Sequence, residues 1–197
     1  LVLDGVNITN NDGPCIYIRD AAKTTIIFDG MSSLTTASNT SYTTLNAAIY
    51  CKSDLVLDGD GNTLITSQYE HAIKAKDNMT INAGMFIINA EKDCINVNGD
   101  LIIHKGNISL NAKDDGIQSE GAITIEKGNF FISPVGDGIK AEGLLEIKDG
   151  IIDIDGATEG IESKTDIIIN GGTIYVDSTD DCINAINSFT MNNGVLK

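Results

Sequence analysis

The chain has no tryptophan, two prolines and a single arginine, Arg19, in 197 residues. Positive charge is scarce: 13 basic residues face 28 acidic ones, a formal net charge of −15 at pH 7. With no basic stripe to displace counterions from phosphates, nucleic acid is disfavoured as a partner. No apolar run reaches the roughly 18 residues needed to span a bilayer as a helix. Without tryptophan, stacking on a neutral sugar ring falls to Tyr17, Tyr42, Tyr50 and Tyr69. An amphipathic helical stripe is also missing, because glycines and β-branched clusters interrupt every 3.6-residue pattern. The chain opens at Leu1-Val2-Leu3, already strand-like, with neither an initiator Met nor a signal peptide. It reads as a trimmed or processed piece, and a preceding segment is where an export signal would lie.

What is present is a repeat. "DDGIQSEG" (114–121) is followed by "VGDGIKAEG" (135–143) and then "TEGIESKT" (158–165). His71, Asp93, Asp115, Asp137, Glu159 and Asp181 recur at one constant spacing, and each can be taken as position one of a unit. Position three is then always isoleucine, from Ile73 to Ile183, and position fourteen always glycine, from Gly84 to Gly194. Position five is small or slightly apolar, and positions nine, eleven, sixteen and eighteen are apolar. Period-two alternation in three short runs, bounded by Gly, Asn and Asp, indicates strands. Self-similarity at a fixed period of this size indicates a solenoid. Leucine-rich repeats have similar lengths, but their Leu/Asn pattern is absent. The expected fold is all-β, a right-handed parallel β-helix with about 22 residues and three short strands per turn, forming one domain over 1–197. The repeated glycine marks a corner that needs positive φ or close approach.

The first third is less regular. Ile49 and Cys51 fill positions three and five of a turn that "DGDG" (58–61) makes longer than the later ones, and Ile16 and Ile18 fill them one turn earlier. Between these lies "MSSLTTASNTSYTTLN" (31–46), polar and nearly uncharged, expected as a long loop insertion. Four cysteines raise the possibility of disulfides, but Cys94 and Cys182 lie four turns apart, roughly 19 Å at the usual strand spacing. A disulfide requires Cα atoms within about 7 Å. Cys15 and Cys51 sit in different columns, so all four are expected as free thiols, mostly small apolar fillers.

The carboxylates form a column. Asp93, Asp115, Asp137, Glu159 and Asp181 occupy position one in five consecutive turns, with Asp114 and Asp180 beside them. Successive turns lie about 4.8 Å apart, so like charges stack. A calcium ion between rungs reverses the sign of that interaction: two calcium–oxygen bonds of about 2.3–2.6 Å span roughly 4.6–5.2 Å, one rung. The glycines that follow (Gly116, Gly138, Gly160) are expected to leave room for backbone carbonyls in the same shell. Zinc is disfavoured, because His71 and His104 occupy different repeat positions. The alternative is a solvated acidic edge whose aspartates cap backbone amides. The strongest expected groupings are Asp114/Asp115 with Asp137, and Glu159 with Asp180/Asp181.

"LNAAIYCKSDLVLDGDGNTLIT" (45–66), "GPCIYIRDAAKTTI" (13–26) and the serial Asp-Gly-Ile turns together resemble the bacterial cell-surface carbohydrate-binding β-helix family of cellulose-degrading clostridia, over essentially the whole chain. That family is similar in fold to family 9 pectate lyases. The resemblance implies calcium as cofactor, acid sugars such as polygalacturonate and also cellulose as partners, and an extracellular or cell-surface location. Carried over by position, the metal ligands are Asp93, Asp114, Asp115, Asp137, Glu159, Asp180 and Asp181. His71 breaks the column towards the N-terminus, and Glu159 departs from the more usual Asp.

So acidic a chain binds a polyanion only through a bridge, which bound calcium supplies. The column at position four, expected to face outward, offers Tyr17, Tyr50, Lys74, Asn96, Gln118 and Lys140 as a carbohydrate platform; an ordinary solvent-facing strand accounts for the same residues. The expected function is therefore a non-catalytic, calcium-dependent module for acidic plant polysaccharide. One rival is calcium-assisted β-elimination with Lys140 as base, against which neighbouring carboxylates weigh by raising a lysine pKa. A second rival is a calcium-stiffened stalk. Ice binding needs a flat threonine array, which position ten (Thr80, Ile102, Thr124, Glu146) does not supply.

Overall fold

The computed structural model describes residues 1–38 and 44–197. The described residues contain no helix. Their strands form three parallel sheets of nine, nine and eight strands. Each strand pairs with the same run one turn on. Ile73, Ile95, Ile117, Ile139, Ile161 and Ile183 stack as direct partners in the third sheet, one repeat apart at every step. Ile49 pairs with Ile73 across the longer turn, as expected from the "DGDG" extension. The solenoid read from the repeat is therefore the fold.

Alternation decides which residues enter the core. In Leu101–Ile103, Ile123–Ile125 and Leu145–Ile147 the outer two side chains are buried and the middle one is less so. Burying these ladders is the main stabilising term, at about 25 cal/mol per Å² of apolar surface. Phe28 and Phe86 meet edge to face in the core, with ring centroids 5.4 Å apart. Ser119 and Ser163, inward at position five, stay satisfied by donating to Gly99 O (2.6 Å) and Gly143 O (2.8 Å). At the position-fourteen corner Gly150 has φ +120°, and a Cβ there would lie 2.6 Å from Gly128 O. Gly106, at the same position, does not share the positive φ of its counterparts.

The expected loop over 31–46 is shorter than the sequence suggested. Met31–Thr36 is a strand of the second sheet, paired with Asn7–Asn10 on one side and Asn62–Ser67 on the other. Its polarity is misleading because its inward residues, Ser32, Leu34 and Thr36, include two small hydroxyls that find partners. Ser32 Oγ accepts from Val6 N–H at 3.2 Å, and Thr36 Oγ1 lies 3.3 Å from Ser67 Oγ. Tyr42, a candidate sugar-stacking residue, lies outside the described residues.

All four cysteines are free. Cys51 and Cys94 are buried fillers as expected, and burial pushes the Cys94 thiol up to about 12. Cys182 is exposed and fills nothing.

Candidate functional site

The acidic column lies at the corner where the chain leaves the second sheet and enters the third. Asp93, Asp115 and Asp137 are buried there, Asp114 and Glu159 half-buried, and Asp180 and Asp181 exposed on the last turn. One oxygen of each inner carboxylate has a structural task. Asp93 Oδ1 accepts from Asp115 N–H (3.3 Å), Asp115 Oδ1 from Asp137 N–H (2.8 Å), and Asp137 Oδ1 from Glu159 N–H (3.3 Å). The amide-capping role of these side chains is therefore real, and it holds the charges in register up the rod.

The glycines of this corner serve packing. Gly116 O and Gly138 O accept from Ile95 N–H (3.2 Å) and Ile117 N–H (3.1 Å), so these carbonyls belong to the rung ladder. Each carbonyl oxygen keeps a second lone pair beyond the one that the ladder uses. A Cβ on Gly116 would lie 2.4 Å from Ile132 Cγ2, so the corner has to pass against the second sheet without side chains. Gly136 is the exception, since a Cβ there would sit 2.5 Å from Asp115 Oδ1 and 2.9 Å from Asp114 Oδ1. Its bare backbone makes room for both carboxylates.

Among the described residues, two groups of carboxylates bring ligand oxygens within 4.8 Å of one another: Asp93, Asp114 and Asp115, and Asp137, Glu159 and Glu162. They differ from the expected groupings. Asp115 joins Asp93 and Asp114, and its Oδ1 also accepts from the Asp137 amide. Asp180 and Asp181 join neither group. Glu162 was missed as a candidate ligand; its signal was an acid at position four, just after Glu159 in the same turn, where other turns carry tyrosine, lysine or an amide.

The electrostatics separate the two groups. Burial, together with the charges of Asp93, Asp137 and Asp114, pushes the Asp115 carboxyl up to about 7, against the pull of the Asp137 amide. Asp114 is raised by burial and by Asp93. Burial also works to raise Asp93, but contacts with His71, Asn96 and the Asp115 amide outweigh it and hold Asp93 low. His71 Nδ1 lies 3.2 Å from Asp93 Oδ2. In the second group Lys140 Nζ sits 2.6 Å from Asp137 Oδ2 and 2.8 Å from Glu162 Oε2, and Lys164 pairs with the other Glu162 oxygen. Glu162 is consequently low despite its burial. The second group already holds an internal cation, whereas in the first the relief centres on Asp93 and leaves Asp114 and Asp115 raised.

The position-four column stacks in the register expected, Tyr17 on Tyr50 on Lys74, then Asn96, Gln118, Lys140 and Glu162. It is not an open platform. Tyr50, Asn96 and Glu162 are buried, and Lys74, Gln118 and Lys140 half-buried. Asn96 Nδ2 donates to Asp93 Oδ2 and to Gln118 Oε1, both at 2.6 Å, and Lys74 donates to Asn96 Oδ1. The acidic edge recruits these groups as counter-partners, which draws them away from solvent. Tyr17 remains exposed, edge to face with Tyr50 at 5.9 Å. Burial works to lower the Lys140 pKa, but Asp137 and Glu162 overcome it and raise it above the ordinary lysine value. An ammonium so held is a poor base.

Fold and site define a parallel β-solenoid with an ordered carboxylate edge. The chain belongs to the carbohydrate-binding domain-containing family, whose model matches residues 1–197. A carbohydrate-binding domain-containing protein of Acetivibrio thermocellus is 33% identical over 97 residues, 46% of this chain and 34% of the relative. The match thus covers about a third of that relative's length. Among solved structures, a polysaccharide lyase-like protein from C. thermocellum, described as a gadolinium derivative, superposes with TM-score 0.75 at 26% identity, over 98% of this chain and 76% of the other. The family supports a binding module, and the neighbour confirms the fold expected from the resemblance.

Proposed function

We propose that this chain is a non-catalytic, calcium-dependent module for acidic polysaccharide of the polygalacturonate type, displayed outside the cell. The observation that carries this reading is the Asp93/Asp114/Asp115 group. Three carboxylates converge within 4.8 Å, two of them buried, with Asp115 pushed up to about 7 by burial and by the carboxylates around it. An all-oxygen set of this kind suits a hard divalent cation. Gadolinium, carried by the structural neighbour's derivative, likewise prefers oxygen ligands. Asp93, Asp114 and Asp115 would hold the ion, and Asp114 is the most exposed of the three. Bound there, calcium supplies a positive centre whose remaining coordination positions a uronate carboxylate can share. The Asp137/Glu159/Glu162 group requires Lys140 to withdraw before it can do the same.

Affinity electrophoresis through gels containing polygalacturonate, with calcium and with chelator, tests the reading. Retardation only with calcium, abolished in Asp115→Asn, is the expected result. Calcium-dependent melting without retardation in polygalacturonate would replace it with the stiffened-stalk reading.

A further inference from the structure

The strands of the second sheet differ from those of the other two. Six in succession contain no charged residue, from Asn7–Asn10 through Met31–Thr36, Asn62–Ser67, Met85–Ala90 and Asn107–Ala112 to Asn129–Ser133. In the whole chain 21% of residues are charged. Strands of the first sheet carry Lys23, Asp54, Glu146 and Asp166, and those of the third carry Lys74, Lys140 and Glu162. The middle outward column of the second sheet reads Ser33, Leu64, Ile87, Ser109, Phe131, Asp153 and Tyr175 in direct register. Ile87 is 56% exposed and Phe131 49%, and Met31, Met85 and Ile151 are exposed in the column beside them. Both columns line a groove of about 910 Å³. A face from which charge is excluded, with large apolar side chains set into it, marks an interface.

The two long borders of this face carry opposite charge. At the corner between the first and second sheets Lys105, Lys127 and Lys148 are exposed, the first two beside Met85, Asn107 and Asn129. Lys105 and Lys127 make no ion pair among the described residues. Along the other border lies the acidic corner with half-buried Asp114, and Asp155 and Asp177 are exposed there in register. Lys113 on that border pairs with Glu91. The area suffices for a stable contact. Nine strands span roughly 38 Å and a six-residue strand about 20 Å at the usual spacings. Two such faces together cover about 1,500 Å², within the range of about 1,200–2,000 Å² for specific complexes.

We propose that the outer face of the second sheet is a dimer interface, covered by the same face of a second copy of this chain. A two-fold axis parallel to the rod fits its charges. It sets like rungs together, Ile87 against the partner's Ile87 and Phe131 against the partner's Phe131, and lays each acidic border along the other copy's lysine border. A two-fold axis running across the rod sets lysine against lysine and acid against acid. Facing sheets pack about 10 Å apart with interdigitating side chains, so an outward column of one copy enters the groove of the other. Asp153 is the one charged residue lining the groove, and it faces the partner's Asp153, a repulsion that limits the affinity. The net charge of −15 on each copy also opposes association, but salt at about 0.15 M screens it beyond about 8 Å.

Sedimentation equilibrium of the whole chain tests this, in physiological salt with chelator so that no ion bridges the acidic edges. It is run for the native chain, for Ile87→Ser with Phe131→Ser, and for Lys105→Glu with Lys127→Glu. Serine already stands at Ser109 in the same outward column, so the serine variant keeps its strands, and its melting temperature checks this. Expected is a reversible native dimer whose dissociation constant rises at least tenfold in the serine variant and several-fold in the lysine variant. A native chain that stays monomeric at millimolar concentration, or a dimer that the serine variant leaves equally tight, overturns the proposal. A dimer that the lysine variant leaves equally tight overturns the charge-matched arrangement. A monomeric native chain retained by hydroxyethyl cellulose in chelator, with retention lost in the serine variant, assigns the face to a glycan and overturns the dimer.

Discussion

Replacing Asp115 by asparagine isolates the charge on which the calcium-bridged reading rests. The folded protein holds this carboxyl up at about 7, whereas an unfolded chain releases its proton near 3.9. Below about pH 4 both states are protonated and the group is neutral in its effect. As pH rises towards 7 the unfolded chain ionises first, so metal-free stability falls across that window. Above it the cost reaches about 4 kcal/mol, from roughly three pH units at 1.36 kcal/mol each. Asparagine removes the charge and keeps an Oδ1 acceptor for the Asp137 amide, which now sits 2.8 Å away. In chelator at pH 8 the variant is therefore expected to be more stable than the native chain by ~2–4 kcal/mol, after relaxation around the site. For a chain of this length that is a rise in Tm of roughly 4–16 °C. Thermal unfolding followed by circular dichroism, in chelator at pH 5 and pH 8, measures it. A variant that melts lower than the native chain at pH 8, or that keeps the native pH dependence, refutes the charge argument.

Calcium should raise the Tm of the native chain strongly at pH 8 and weakly at pH 5, where protons compete for Asp115 and Asp114; at about 100 times its Kd an ion adds about 2.7 kcal/mol, and calorimetry with titrated calcium reads this. Lys140→Ala leaves the buried Asp137 and Glu162 without their shared ammonium, so a loss of about 3–5 kcal/mol is expected in chelator, with calcium restoring more stability than it adds to the native chain. Incubating the native chain with polygalacturonate and calcium should give no rise in ultraviolet absorbance from unsaturated product, because Lys140 stays protonated; a rise that Lys140→Ala abolishes would establish lyase activity. Gly138→Ala would place a Cβ 2.5 Å from Gly160 O and 2.7 Å from Ile154 Cγ2, so a destabilisation of about 1–3 kcal/mol is expected from urea unfolding.

The acidic corner shows why neutralisation matters to this fold. Two carboxylates one rung apart repel by about 3–4 kcal/mol at an effective dielectric of ~20. The molecule answers this differently along the rod: His71 and Asn96 at Asp93, Lys140 and Lys164 at Glu162, and Asn184 with two 3.1 Å contacts at Glu159. Asp115 is left far above its ordinary value.

The architecture was legible in the sequence because a solenoid writes its geometry as a period. The evenly spaced isoleucines from Ile73 to Ile183 stack as direct partners, since every rung repeats one backbone path. The same period brought the acidic column to light. It could not show that Met31–Thr36 is a strand, because buried Ser32 and Thr36 look like loop residues until their partners are known. Nor could it tell how carboxylates group within the column, for that depends on which oxygen a backbone amide claims and where a lysine reaches. Asp115 turned towards Asp93 and Asp114, Glu162 entered the second group with Lys140 between, and Asp180 and Asp181 stayed apart. Period is a property of the backbone and survives in one dimension; side-chain charge partners are chosen across turns, and only the folded rod brings them within reach.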